Sequence, residues 1–190
     1  VYQHRQDPDV PVEEVIGTLI QLQAEGKIGG IGLSAIDNMT FARAGVVSAI
    51  TAVQNEYSLL HRESELNLLA KVVDSHTAFV AYSPLARGLL SGTVRSWSQQ
   101  DNDDYRRSDK RFSPDQLAIT MDRVAALHQI AADRQVAPPV VALSWLLNRS
   151  SDLAVIPGCK SPAQISMAME AVQFELSADE SERLDAIGLI

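Results

Sequence analysis

Thr77-Ala78-Phe79-Val80-Ala81-Tyr82-Ser83 is an apolar, strand-forming run that stops at a phenol and a hydroxyl, and four other short runs stop at polar or reactive groups in the same way. These are Tyr2-Gln3-His4, Gly32-Leu33-Ser34, Ala52-Val53-Gln54-Asn55 and Val155-Ile156-Pro157-Gly158. Helix-patterned stretches separate them, so the repeated unit reads as strand, functional tip, helix. In a parallel β/α barrel the carboxyl ends of all strands open onto one face, where the site is assembled. His4, Ser34, Gln54, Tyr82 and Gly158 are therefore expected to share one rim. The first tip falls at residue 4, with almost no strand before it. The chain thus reads as α/β, a partial barrel entered part-way round.

The connecting segments carry helical spacing. Val12, Val15, Ile16, Leu19 and Ile20 form one apolar stripe after Pro11, with Gly26 as a C-terminal stop. Asp37 or Asn38 caps a helix reaching Val47. A single helix from Glu63 to about Asp74 is expected to bury Leu66, Leu69, Val72 and Val73, and another, Pro114 to Gln135, carries Leu117, Met121, Val124, Leu127 and Ile130 on one face. Pro138 or Pro139 opens a further helix and Pro162 the next, while Ser177-Ala178-Asp179-Glu180 is a capping-box pattern. From Leu85 to Phe112 the periodicity disappears. A loop this long is either a lid over a ligand or a tolerated surface insertion.

The bulk numbers bound the possibilities. A complete barrel usually needs about 250 residues, and 190 are present. Hydrophobic residues at 46% and charged ones at 21% are globular values. A net charge of -8 without a basic stripe disfavours nucleic acid and anionic membrane surfaces as partners. Cys159 is the only cysteine, so no intrachain disulfide forms and a cytoplasmic setting is expected. No run approaches the ~20 apolar residues of a spanning helix, and there is neither an export signal nor an initiating Met. His61, His76 and His128 lack metal-site spacing and are expected to be solvated.

Four stretches, in order and spacing, carry a family resemblance: Tyr2-Gln3-His4-Arg5, Gly26-Lys27-Ile28 through Gly32-Leu33-Ser34, Ile50 through Gln54-Asn55-Glu56-Tyr57-Ser58, and Ala81-Tyr82-Ser83-Pro84-Leu85-Ala86-Arg87-Gly88. Asp103-Asp104-Tyr105-Arg106-Arg107, Ala142-Leu143-Ser144-Trp145-Leu146 and Ile156-Pro157-Gly158 follow in register. Together they resemble the aldo-keto reductases over essentially the whole chain. The resemblance implies the carboxyl-terminal half of a parallel (β/α)8 TIM barrel, running from the end of the fourth strand. It also implies NADPH as cofactor and small-molecule aldehydes or ketones as substrates. One domain, 1-190, is expected. The family's catalytic Asp, Tyr and Lys precede this point and are not in the chain.

His4 matches the catalytic His, which orients the substrate carbonyl while negative charge grows on oxygen. Tyr2 lies within the strand run, where a packing role fits better than proton donation. Ser34 and Gln54 match the pair that holds the nicotinamide carboxamide, a group needing both a donor and an acceptor. Ala35 stands where many relatives have Asn. Tyr82 matches the aromatic that stacks on the nicotinamide ring. Ser83, Pro84, Leu85, Arg87 and Gly88 match the segment that supplies backbone N–H groups and a cation to the pyrophosphate. Gly158, Lys160 and Gln164 match the loop and helix start at the adenosine end, with Lys160 on the 2′-phosphate that distinguishes NADP from NAD. Met167 and Ala168 replace the Glu-Asn that often follows, which weakens the adenine contacts.

The resemblance implies a carbonyl reductase, with the isolated chain inactive for want of its tyrosine acid. The alternative is a non-catalytic half barrel that binds cofactor or a partner. Open sheet edges would favour self-association.

Overall fold

The computed structural model describes residues 1–94 and 104–188. The polar stretch 97–103, part of the segment expected to be a lid or an insertion, lies outside the described residues. The chain forms two compact units.

The first unit comprises Val1–Tyr57, Arg62–Tyr82 and Ser150–Ile156. Its strands are β1 (Tyr2–Gln3), β2 (Gly32–Ser34), β3 (Ala52–Glu56), β4 (Ala78–Tyr82) and β5 (Leu153–Ile156), all parallel and ordered β1-β2-β3-β4-β5. An order that follows the sequence without reversal belongs to a barrel, because a doubly wound sheet reverses at a switch point. The fold is part of a parallel β/α barrel.

Period-two alternation separates the two faces of the sheet. Leu33, Val53, Phe79 and Leu153 are register partners across four strands and are 7% exposed or less. Burying each such side chain contributes roughly 1.5–3 kcal/mol. On the other face Gln54 and Val80 are half-buried, and Ile156 at the end of β5 is 47% exposed. Tyr2 lies over Gly32, where an added Cβ would fall 2.5 Å from its ring, but remains 40% exposed.

Helix α1 (Val12–Ala24) buries Val12, Ile16 and Leu19, while α2 (Asn38–Val47) buries Thr40, Phe41 and Ala44. Asp37 caps α2 by accepting from the Thr40 N–H at 2.7 Å, and that bond holds its carboxyl below the ordinary range. The single helix expected from Glu63 is two, α3 (Glu63–Asn67) and α4 (Leu69–Asp74). Leu68, at φ -126° and ψ -41°, breaks the helical phase between them. Leu68, Leu69 and Val72 therefore take the core, and Leu66 is left 81% exposed instead of buried.

The second unit comprises Ser58–His61, Ser83–Arg149 and the chain from Pro157. The predicted Pro114–Gln135 helix is also split at Val124, into α5 (Pro114–Arg123) and α6 (Ala125–Asp133). Helix α7 (Pro138–Leu147) is buried continuously from Pro139 to Leu146 and so has no solvent face. Helices α8 (Pro162–Glu170) and α9 (Ala178–Asp185) complete the unit, and the capping box at the start of α9 forms between Ser177 and Glu180. Among its described residues, the aperiodic segment contains the 3-10 turns Ala86–Ser91, Tyr105–Ser108 and Lys110–Phe112. Asp104 and Asp109 cap the last two, a local device that leaves no apolar period to read. Of the three histidines expected in solvent, His76 is exposed and His61 and His128 are half-buried.

Candidate functional site

The strand tips of the first unit converge by register. Ser34 pairs with Gln54, and Gln54 with Val80, which puts Tyr82 two residues further along the same face. Gln3 pairs with Leu33, so His4 follows one step later, level with Ser34. His4 is exposed, Ser34 is 4% exposed, and Gln54 and Tyr82 are half-buried. The four predicted residues of this unit therefore sit at the carboxyl end of one sheet.

A sharp turn follows Ser34. Ala35 is left-handed at φ +53°, and its N–H donates to the Gln54 carbonyl at 2.9 Å. The Asn55 side chain then grips Ile36 twice: its Nδ2 donates to the Ile36 carbonyl at 2.7 Å, and its Oδ1 accepts the Ile36 N–H at 3.1 Å. The chain after β1 is tied to α2 by Thr40 Oγ1 donating to Gln6 Oε1 at 3.0 Å.

A nicotinamide carboxamide needs a donor and an acceptor, and this tip retains both. Neither the Ser34 hydroxyl nor the Gln54 amide has a hydrogen-bond partner among the described residues. Ser34 Oγ is not among the buried polar atoms that lack a partner, so this hydroxyl reaches the surface of the strand tip and is open to a ligand. Gln3 Oε1, next to His4 in the chain, is buried without a partner among the described residues.

The remaining predicted residues lie in the second unit. Ser83, Ala86 and Arg87 have φ of 50°, 47° and 56°, and Gly88 reaches 103°. The Ala86 N–H donates to the Ser83 carbonyl at 2.8 Å and the Gly88 N–H to the Leu85 carbonyl at 2.9 Å. A Cβ at Gly88 would come within 3.3 Å of Arg106 Nη1 and Val94 Cγ2, so both backbone and space demand glycine there.

This turn is held by ions. Arg106 Nη1 donates to the Arg87 carbonyl at 3.1 Å, and its Nε and Nη2 bind Asp104. The Arg87 guanidinium, matched by sequence to the pyrophosphate, is paired with Asp109 at 3.0 Å, and Asp109 also binds Arg111 at 2.8 Å. Arg106 holds the Asp104 carboxyl down to about 2, with Lys160 adding a smaller attraction. Hydrogen bonding to Arg111 lowers Asp109 in the same direction. Sequence reasoning did not find Asp109, Arg106 or Asn55 as partners, since each bond joins residues 19 to 22 apart.

At the start of α8, Ser161 Oγ accepts the Gln164 N–H at 3.3 Å, and Gln164 Oε1 accepts the Lys160 N–H at 2.6 Å. The Gln164 carbonyl is thus engaged in the cap, and its amide N–H donors are the groups left for a ligand. Gly158, Lys160 and Gln164 are all exposed. Among the described residues, no three His, Cys, Asp or Glu side chains are grouped to hold a metal.

Comparisons with known proteins give the family and the fold. The profile of the aldo/keto reductase family matches residues 1–188. The chain belongs to the aldo/keto reductase family. Aldo-keto reductase str7 of Strobilurus tenacellus is 35% identical over 182 residues, which cover 94% of this chain and 54% of that protein. A glycerol dehydrogenase structure from Gluconobacter oxydans superposes with a TM-score of 0.89 at 23% identity, covering 98% of this chain and 57% of that one. A thermostable aldo-keto reductase, solved with the inhibitor epalrestat, gives 0.77 at 23% identity, covering 98% of this chain and 58% of that one. These two likenesses concern the fold. The chain spans about half the length of the relatives it matches.

Proposed function

We propose that this chain is the carboxyl-terminal portion of an NADPH-dependent oxidoreductase that reduces aldehyde or ketone carbonyls. The observation that carries the reading is the pairing of Ser34 with Gln54 at the strand tips, both side chains without hydrogen-bond partners among the described residues. When bound, the nicotinamide supplies the hydride. This chain's own residues bind and orient: Ser34 and Gln54 hold the carboxamide, Tyr82 covers a ring face, and His4 directs the carbonyl oxygen. Ser83, Pro84, Leu85, Arg87 and Gly88 receive the pyrophosphate, with Gly158, Lys160 and Gln164 at the adenosine end. Lys160 favours the phosphorylated nucleotide.

The proton for the developing alkoxide comes from a tyrosine outside these residues. Without it, general-acid assistance of about 100- to 10,000-fold is lost, so the isolated chain turns over little or nothing; Met167 and Ala168 at the adenine end make its cofactor binding weak. Fluorescence titration with NADPH and NADH, comparing this polypeptide with an amino-terminally extended one, tests the assignment. NADPH-selective binding, and aldehyde reduction by the extended protein alone, are expected. Failure of both to bind any nicotinamide nucleotide overturns the assignment.

The alternative reading is a cofactor- or partner-binding half barrel without turnover. NADPH binding with no reduction by the extended protein would select it. We place the protein in the cytoplasm, on its single cysteine; no helix among the described residues is long and apolar enough to cross a membrane. The sheet ends at β1 and β5, and the 47% exposure of Ile156, support self-association of the isolated chain.

A further inference from the structure

We propose that Asn55 is a positioning residue for the nicotinamide end of the site, acting through the Ser34-Ala35-Ile36 turn; the inference rests on the cofactor reading above. Asn55 is not itself among the residues matched to the cofactor; it follows Gln54 on β3. Its side chain is nevertheless the clamp on the turn that carries Ser34. Both polar atoms of the amide are used, one on each backbone group of Ile36, at 2.7 and 3.1 Å.

The clamp has strain to hold against. Ala35 sits at φ +53°, a region that costs a residue with a Cβ about 1–2 kcal/mol. On one side of Ala35 stands Ser34, fixed in register with Gln54. On the other stands Ile36, only 6% exposed and gripped by Asn55. The Ala35 N–H bond to the Gln54 carbonyl closes the turn at 2.9 Å. Gln54 and Asn55 are adjacent on β3, so one strand aims one amide at the cofactor position and uses the next amide to fix the neighbouring tip. No other side chain type of this size matches an N–H and a C=O together, because Asp lacks the donor and Leu lacks both.

Removing the clamp frees the turn to leave the left-handed region, and the Ser34 hydroxyl then loses its fixed distance from Gln54. The adenosine end is untouched. The consequence is a split in affinity: ligands that reach the nicotinamide position weaken and those confined to the adenosine end do not. Losing two hydrogen bonds predicts roughly a 10-fold weakening for NADPH.

The test uses the 190-residue chain and its Asn55→Leu and Asn55→Asp variants. Binding of NADPH and of 2′,5′-ADP is measured by titration, and backbone exchange at Ala35 and Ile36 by hydrogen–deuterium exchange. Expected in Asn55→Leu are NADPH affinity down about 10-fold, 2′,5′-ADP affinity unchanged, and faster exchange at Ile36. Asn55→Asp, which keeps the acceptor and guards against a folding failure of the first variant, should fall between. Adding Ala35→Gly to Asn55→Leu should restore part of the NADPH affinity, since glycine holds φ +53° without strain; a purely structural role for Asn55 predicts no such rescue. Unaltered exchange at Ile36, or equal loss for both nucleotides, overturns the clamp alone. Failure of both the parent chain and its amino-terminally extended form to bind NADPH overturns the cofactor reading and Asn55's role with it.

Discussion

The turn at Ser34–Ile36 and the turn at Ala86–Gly88 both carry residues at positive φ, yet they are held by opposite means. The first is pinned by a strand ladder and by the neutral amide of Asn55. The second is pinned by charge: Asp104 with Arg106, and Asp109 with both Arg87 and Arg111. On the proposed cofactor reading, the difference follows from what each turn would face: a neutral carboxamide needs directional donors and acceptors, whereas a pyrophosphate is an anion best met by a cationic neighbourhood. In a chain of net charge -8, segment 104–112 with Asp104, Asp109, Arg106, Arg107, Lys110 and Arg111 is locally positive.

The sharpest way to break this contrast is at glycine. Gly88→Ala meets both φ +103° and two atoms at 3.3 Å, so it should destabilise the protein by about 2–3 kcal/mol in a denaturant titration. Should it prove neutral, the charged turn is softer than its ion pairs imply. Next in size is Lys160→Ala, expected to weaken NADPH about 10-fold, as for an exposed cation losing a phosphate, while NADH stays unchanged. Equal losses for the two nucleotides would separate Lys160 from the 2′-phosphate. Ala35→Gly has the opposite sign to Gly88→Ala. Relief of the left-handed strain should stabilise the first turn by up to ~1 kcal/mol, read as a higher denaturation midpoint.

The smallest effect comes from acid. Asp104 is lowered to about 2 by Arg106, and Asp109 is lowered by Arg111. The stability they contribute is present above the unfolded carboxylate value near 4 and is lost as pH falls from there through the folded values. Amide protection in residues 104–112, taken relative to the intrinsic exchange rate at each pH, should therefore fall between about pH 4 and pH 2. The Asn55 clamp does not titrate, so Ile36 should keep its own protection longer, although Asp37 beside it loses its cap bond as it protonates.

How much of this was legible depended on the range of the interaction. The strand tips, the α1 stripe and the Ser177 capping box were readable because their signals lie within a few residues. The helix breaks at Leu68 and Val124 were not, since apolar spacing continues across each and only packing selects which residues turn inward. Leu66 shows the cost of ignoring that: its spacing matched the buried set, and it is 81% exposed. In the site, Ser34 and Gln54 could be proposed from their strand ends. That Asn55 closes on Ile36, or that Arg87 is held by Asp109, needed the folded chain.

By itself the sequence determined the β/α alternation, the residues at each strand end and the family, because period, turn chemistry and motif order are written locally. Only the tertiary structure decided the register that aligns Ser34 with Gln54, and the partners that hold each turn. Hydrogen bonds and ion pairs between residues far apart in the chain exist only once folding has brought their backbones together.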